Sequence, residues 1–206
     1  SAVSEADENA LVWISPRKKN ADEVISSTKA RIIICPLNIE PREKLLKEKL
    51  FLKVENPKLV IIRVLEKLYA PKIKFEVHPS SVIHSEAQIH KNVYIGPFTY
   101  VGKAVIEEGT IIHGHCHVFD NVKIGKNVSI NAGSIIGSEG FGYEVNENNE
   151  YEKFTHIGGV EIHDNVDIGA NTCVVRGALA NTIIGEGTKI DNLVHIGHNA
   201  IIGKHC

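Results

Sequence analysis

The sequence predicts a mainly β protein in which a small α/β domain precedes a parallel β-helix. Three observations predict this class. Ile or Val recurs every sixth residue at eighteen positions between Val77 and Ile202, with two slips of register and one interruption. A small or β-branched residue often follows four places later, and Gly or Asn marks many of the turns. Residues 1–74 lack this repeat and contain apolar runs and helical patterns instead.

A six-residue repeat indicates short strands joined by tight turns and wound into a solenoid. One side chain per strand points at the axis, and coils stack about 4.8 Å apart, so inward residues form aliphatic columns. Tight turns favour Gly, Asn and other small residues. The inward positions are Val77, Ile83, Ile89, Ile95, Val101, Ile106, Ile112, Val118, Ile124, Ile130, Ile136, Ile162, Ile168, Val174, Ile184, Ile190, Ile196 and Ile202.

We predict two domains, an α/β domain over residues 1–74 and the β-helix over residues 75–206. Asn56 is expected to cap the last helix of the first domain, and Pro71 to end it. Cys206 falls inside a repeat with no capping element after it, so we expect the natural chain to continue. The first domain is expected to hold strands at 10–14, 31–35 and 51–54, and helices at 21–29, 41–49 and 56–69.

Composition excludes several functional classes. A net charge of -2 argues against a nucleic-acid-binding protein that depends on phosphate contacts. No apolar run approaches the roughly 20 residues that span a bilayer, and no signal peptide opens the chain. The four cysteines have no paired spacing, which favours free thiols and a cytoplasmic location.

The repeat is interrupted by a polar segment at residues 138–158. It is long for a connection without secondary structure, and such loops are often functional. Gly137, Gly140 and Gly142 allow the backbone to turn tightly around Phe141. A binding loop is the preferred interpretation, and a tolerated surface insertion is the alternative.

Three segments from this region onward carry a family resemblance: GSEGFGY, VDIGANTCVVRGAL and TKIDNLVHIGHNAIIG. They resemble the UDP-3-O-acylglucosamine N-acyltransferases of lipid A biosynthesis, which are hexapeptide-repeat acyltransferases. The segments ADENALVWIS, KARIIIC and ENPKLVIIRVL are similar to the uridine-binding domain of those enzymes. The resemblance implies a left-handed β-helix and a homotrimer with active sites between neighbouring solenoids.

The activity implied by the resemblance is transfer of a 3-hydroxyacyl group to the amine of UDP-3-O-acylglucosamine. The acyl donor would be the phosphopantetheine thioester of an acyl carrier protein, with no cofactor and no metal. His198 matches the family's catalytic histidine, and Asp191 its supporting aspartate. The implied substrate-binding residues are Trp13, which would stack on the uracil, and Lys18, Phe141, Tyr143, Asn192 and His195.

The chain departs from the family pattern at three places. Residues 15–19 read Ser-Pro-Arg-Lys-Lys, where the family has an Asn-Pro-Lys-Tyr run that supplies a second uracil-contacting aromatic. Val175 stands where an Asp usually precedes the RGAL arginine. His156 stands near a usual Gln after the loop.

The proposed chemistry requires a neutral amine to attack a thioester carbonyl. A histidine is suited to remove the amine proton near pH 7. His198 lies two residues after the inward Ile196 and can face outward, and Asp191 could hold one of its ring nitrogens. The alternative is that His198 is a corner histidine and Asn199 a turn residue. Arg176 is expected to bridge coils rather than touch substrate.

Three other functions remain open from the sequence. An acetyl-CoA-dependent N-acetyltransferase acting on another amino sugar nucleotide is the main rival. A non-catalytic trimeric scaffold that binds sugar nucleotides is an alternative of another class. His113, His115 and His117 alternate along one strand, a pattern that would also suit a zinc site.

Overall fold

The computed structural model describes residues 3–206, which divide into two compact units at Lys72 and Ile73. This division falls two residues before the boundary predicted from the repeat.

The first unit is a three-stranded parallel sheet with helices. The strand order is β1-β2-β3, and all pairs are parallel. A short 3-10 helix, Val3–Glu5, precedes the sheet. The strands are β1 Leu11–Trp13, β2 Ile32–Pro36 and β3 Leu50–Val54, and the helices are α1 Ala21–Ser27, α2 Glu43–Glu48 and α3 Pro57–Tyr69.

Strand alternation divides the residues of this sheet between its two faces. Val12 and Ile14 are buried and pack in one core with Ile25 of α1. Trp13 is half-buried and lies in register with Ile34. The side chain of Asn56 accepts a hydrogen bond from Leu59 N–H at 3.0 Å and caps α3 as predicted.

The second unit is a solenoid of nineteen short strands, seventeen of which form its coils. They are β4 Val82–Ile83, β5 Gln88–Ile89, β6 Tyr94–Ile95, β7 Tyr100–Val101, β8 Val105–Ile106, β9 Ile111–Ile112, β10 His117–Val118, β11 Val122–Ile124, β12 Ser129–Ile130, β13 Ile135–Ser138, β14 Tyr143–Val145, β15 Tyr151–Lys153, β16 Val160–Ile162, β17 Asp167–Ile168, β18 Cys173–Val175, β19 Thr182–Ile184, β20 Lys189–Ile190, β21 His195–Ile196 and β22 Ile201–Ile202.

The coils form three parallel sheets, one on each face of the solenoid. Face 1 holds β4, β7, β10, β13, β18 and β21; face 2 holds β5, β8, β11, β16, β19 and β22; face 3 holds β6, β9, β12, β17 and β20. Inward residues stack in register, as where Ile130 lies between Ile112 and Ile168. The central members of the repeat are buried and those at the two ends are half-buried, except Val77, which is 43% exposed.

Buried hydroxyls at the corners join successive coils. Thr110, for example, donates to Gly125 C=O at 2.7 Å and accepts from Val128 N–H at 3.2 Å. The Thr110 hydroxyl therefore satisfies both a carbonyl and an amide of the backbone. The hydroxyls that donate to the next coil, at 2.7–2.9 Å, belong to Ser81, Thr99, Thr110, Ser134, Thr172 and Thr188.

The sequence marks many corners with Asn because the backbone there adopts a positive φ. The non-glycine residues of the solenoid with this conformation include Asn121, Asn127, Asn165, Asn171 and Asn199. Arg176 bridges coils as predicted, donating to Gly137 C=O at 2.8 Å and to Asp120 C=O at 3.2 Å.

Two further expectations concern the membrane and the cysteines. Within residues 3–206, no helix is both long and apolar enough to cross a membrane. Cys35, Cys116, Cys173 and Cys206 are all free thiols. Burial raises the pKa of the Cys35 and Cys116 thiols.

We predict that Thr110→Val lowers the free energy of unfolding by about 1–3 kcal/mol, because a buried carbonyl and amide each lose their partner without a change of shape. Thr155→Val is the matched control, since Thr155 is exposed. Urea denaturation followed by circular dichroism measures both. Equal stability of the two variants would contradict the role given to the corner hydroxyls.

Candidate active site

The corner between β21 and β22 holds His198 in a defined orientation. His198 is exposed, and its Nδ1 lies 3.0 Å from Asn199 Oδ1. The same Oδ1 accepts a hydrogen bond from Ala178 N–H at 2.9 Å, which identifies it as the amide oxygen. Because that oxygen only accepts, Nδ1 of His198 carries the proton, and Nε2 presents its lone pair.

Asn199 is fixed by the fold, so its hold on His198 is rigid. Its φ of 59° is the left-handed conformation that Asn tolerates best after Gly. Its N–H donates to Thr182 Oγ1 at 3.1 Å. The turn residue and the orienting residue are therefore the same, and the sequence analysis did not assign the second role to Asn199. An Asn directly after a candidate base is the signal that would have found it.

Asp191 lies in a different corner, between β20 and β21. It is exposed, and its Oδ1 accepts from Asn192 N–H at 2.7 Å. Its backbone carbonyl accepts from Thr172 Oγ1 at 2.9 Å. Among the hydrogen bonds of residues 3–206, none joins Asp191 to His198. Within one chain, Asn199 makes the contact that was expected of Asp191.

Asn192 and His195 occupy the same coil. Asn192 is exposed, and its Oδ1 accepts from Ala170 N–H at 2.6 Å, which ties two coils together. His195 is exposed on β21 and lies in register with Cys173 of β18. It therefore projects outward from face 1.

The interruption of the repeat contains a β-hairpin rather than an irregular loop. β14 and β15 pair antiparallel, so this long segment has secondary structure of its own. Phe141 is 85% exposed, and its ring lies 5.0 Å from that of Tyr143 in an edge-to-face arrangement. Tyr151 of the opposite strand lies against Tyr143 as well. The hairpin thus presents a cluster of exposed aromatic rings.

An ion pair holds the base of this hairpin. Lys153 bonds to Glu139, and His156 N–H donates to the same carboxylate at 3.3 Å. The hydrogen bond from Lys153, then that from His156, holds the pKa of Glu139 below its usual range. The same pairing raises the pKa of Lys153. Both groups stay charged at neutral pH.

His156 is the residue of this region that the sequence analysis left without a role. It is only 4% exposed, and its ring centroid lies 4.9 Å from that of His198, with the planes at 77°. The backbone at Gly140 covers it, since a Cβ there would lie 2.7 Å from its Nε2 and 3.1 Å from His198 Cβ. The aromatic-glycine segment, its buried histidine and His198 therefore form one site.

Trp13 and Lys18 belong to the first unit. Trp13 is half-buried at the end of β1, and Lys18 is exposed in the turn that follows. Lys18 N–H donates to Ser15 C=O at 3.0 Å, which closes this turn.

The three alternating histidines each contact a separate aromatic ring. His113 lies edge-on to Tyr94, His115 stacks on Phe98, and His117 lies between Tyr100 and Phe119. Burial lowers the pKa of His117. Within residues 3–206, no group of three or more His, Cys, Asp or Glu side chains is placed to hold a metal ion. The zinc alternative has no geometric support in this part of the chain.

The chain is similar to several curated UDP-3-O-acylglucosamine N-acyltransferases. The chain is 40% identical over 179 positions to UDP-3-O-acylglucosamine N-acyltransferase 1 of Legionella pneumophila, covering 75% of this chain and 49% of that protein. It is 32% identical over 238 positions to the Coxiella burnetii UDP-3-O-acylglucosamine N-acyltransferase, covering 100% of this chain and 64% of that protein. The chain therefore spans about half to two-thirds of the length of these relatives. No family model matches it.

Solved structures of similar fold include the UDP-N-acetylglucosamine acyltransferases of Francisella novicida and Bacteroides fragilis. Both are 30% identical to the chain and cover 63% of it, with TM-scores of 0.56 and 0.54, and the chain covers 46% and 49% of theirs. The three parallel faces and these neighbours confirm the predicted left-handed parallel β-helix. Over the part of these relatives that it spans, the chain is similar to the UDP-3-O-acylglucosamine N-acyltransferases.

Proposed function

We propose that the protein is an N-acyltransferase of the lipid A pathway. It moves a 3-hydroxyacyl group from the phosphopantetheine arm of an acyl carrier protein to the amine of UDP-3-O-acylglucosamine. The observation that carries this proposal is His198, whose Nδ1 is locked on Asn199 and whose Nε2 lone pair is free in an exposed corner. The names of the curated relatives support the choice of acceptor and of N-acylation as the reaction.

His198 acts as the general base. Nε2 removes a proton as the amine nitrogen attacks the thioester carbonyl, and the imidazolium then returns it to the departing thiolate. Asn199 Oδ1 keeps Nδ1 protonated throughout, and so holds the ring in the tautomer that this step requires.

The substrate-binding residues implied by the resemblance are assigned their contacts as follows. Trp13 stacks on the uracil ring and Lys18 contacts the nucleotide. In support, Trp13 is half-buried at the end of β1, and Lys18 is exposed in the turn that follows. Phe141 and Tyr143 contact the substrate through the exposed aromatic surface of the hairpin. The reaction takes place in the cytoplasm, which the four free thiols support.

The protein assembles as a homotrimer through face 1 in our proposal. The outward side chains of faces 2 and 3 include ion pairs, Lys123 with Glu161 and Lys189 with Asp167. The outward column of face 1 has no formal charge, as expected of a face that is buried between subunits. This column consists of Val82, Tyr100, His117, Ile135, Cys173 and His195.

The placement of Asp191 supports the same assembly. Asp191 and His198 stand at the two edges of face 1, in the corners before and after β21. Among residues 3–206 no hydrogen bond joins them, so in the proposed trimer Asp191 of a neighbouring subunit approaches His198 as a negative charge that stabilises its imidazolium. Asn192 stands in the same corner as Asp191, and His195 lies on β21 between the two corners.

A donor panel tests the proposed function. The protein is incubated with UDP-3-O-acylglucosamine and either a 3-hydroxyacyl carrier protein or acetyl-CoA, and N-acylated product is measured by mass spectrometry. We expect product with the 3-hydroxyacyl carrier protein as donor and none with acetyl-CoA. Product with acetyl-CoA alone would favour the N-acetyltransferase. No product with either, despite binding of the UDP-sugar, would favour the non-catalytic scaffold.

We expect His198→Ala to lower turnover by roughly 10²–10⁴ while the fold and UDP-sugar binding persist, because the exposed ring bonds only to Asn199. His163→Ala is the control, since His163 is also an exposed solenoid histidine. Asp191→Ala should lower turnover less, and the double variant should be little worse than His198→Ala. A folded His198→Ala protein with undiminished turnover would exclude this base.

His117→Glu should dissociate the trimer, because a carboxylate would be buried without a partner in the middle of face 1. Ser129→Glu places the same charge on the outward surface of face 3 and should leave the trimer intact. Sedimentation velocity at micromolar concentration distinguishes the two. If both variants remain trimeric, the subunit interface lies on another face.

Gly140→Ala should reduce transfer by about 10–100-fold, because its Cβ would displace His156 or His198. Gly197→Ala is the control, since a Cβ at Gly197 meets nothing within 4 Å although the residue precedes His198. Steady-state kinetics and melting temperatures are measured for both. Normal kinetics in Gly140→Ala would show that acyl transfer does not depend on the close packing of Gly140 against the two histidines.

A further inference from the structure

The inference concerns the second imidazole of the site. His156 is 4% exposed, and its Nε2 is a buried polar atom with no hydrogen-bond partner among residues 3–206. A buried acceptor without a partner is unfavourable, so native structures rarely retain one without a function.

The tautomer of His156 is determined by its other nitrogen. Nδ1 lies 2.7 Å from the backbone carbonyl of Phe154. A carbonyl only accepts, so Nδ1 carries the proton and Nε2 presents a lone pair. His198 has the same arrangement, with Nδ1 donating to Asn199. In its neutral form, each of the two imidazoles therefore has an Nε2 acceptor.

The rings of His156 and His198 are neighbours, arranged edge to face. Their centroids lie 4.9 Å apart, and a hydrogen bond to nitrogen or oxygen spans about 2.9 Å. Gly140 lies between them, against Nε2 of His156 and Cβ of His198. Two Nε2 acceptors on neighbouring rings suit a group with two protons to donate. A neutral primary amine has two, whereas a hydroxyl has one.

We propose that His156 is a substrate-orienting residue whose Nε2 accepts the second N–H of the acceptor amine. This proposal rests on the proposed N-acyltransferase function and extends it. One N–H points to His198 and the other to His156, which directs the nitrogen lone pair at the thioester carbonyl.

The reaction balances with these two contacts. The amine nitrogen forms a bond to the carbonyl carbon, and the carbon–sulfur bond breaks. One amine proton passes to His198 and then to the departing thiolate. The other proton stays on nitrogen as the amide N–H of the product, still hydrogen-bonded to His156. No oxidant, metal or further reactant is required.

Access to His156 requires movement of the aromatic-glycine segment. Gly140 and Gly142 both lie against the ring, where a Cβ would approach it to 2.7 and 2.8 Å. Phe141 between them is exposed and leaves the segment free to shift. The amine replaces the backbone of Gly140 as the group that covers Nε2.

The test uses two amide variants of similar size. In His156→Asn, the amide reaches the position of Nδ1 and keeps the bond to Phe154 C=O, but nothing replaces Nε2. In His156→Gln, the longer side chain places an acceptor near the position of Nε2. With UDP-3-O-acylglucosamine as acceptor, kcat/KM should fall about tenfold or more in His156→Asn, and should stay within about threefold of the wild type in His156→Gln.

A second measurement reports the contact without turnover. In protein labelled with imidazole ¹⁵N, the His156 Nε2 resonance, assigned by its loss in His156→Asn, should move toward the hydrogen-bonded position when UDP-3-O-acylglucosamine is added. If the wild type transfers the acyl group without this shift, or if the two variants have equal kinetics, the role given to His156 is wrong and the proposed function still stands. The shift without transfer would overturn the proposed function and leave the contact standing.

Discussion

Hydrogen bonding between successive coils is the interaction on which the rest of this molecule depends. Most strands of the solenoid are two or three residues long, and none would persist alone. Each is held by backbone bonds to the coils before and after it, by the column of Ile and Val on the axis, and by corner hydroxyls. Because every coil needs its neighbours, the inward residues at the two ends are less well buried than those in the middle.

The candidate site uses the same corner chemistry that builds the solenoid. Asn199 turns the chain, closes a hydrogen bond to Ala178 and orients His198 with a single amide. Elsewhere, the side chain of a corner residue such as Asn192 bonds to the adjacent coil. A catalytic role at such a corner needs one added side chain, because the orienting group is already fixed by the fold.

The axial columns could be predicted from the sequence because their period is a property of the chain alone. Val77 is the exception, since it begins the repeat and pairs only through an isolated bridge to Ile95. The orienting partner of His198 could not be predicted by spacing. Asp191 precedes His198 by about one repeat, and one repeat takes the chain to the next corner of the solenoid. The two residues therefore lie in different corners. The burial of His156 depends on packing against residues distant in sequence, which no local pattern records.

The hairpin also bears on how such proteins diversify. Ser134 and Thr172 bond across successive coils although 38 residues separate them, whereas Thr110 and Val128 do so across 18. Doubling the length of a closed loop costs only about 0.6 kcal/mol in loop-closure entropy, so the extra segment destabilises the solenoid little. Evolution can thus exchange the residues of this segment without changing the coils around it. Such a segment is a natural place to graft new specificity in the laboratory.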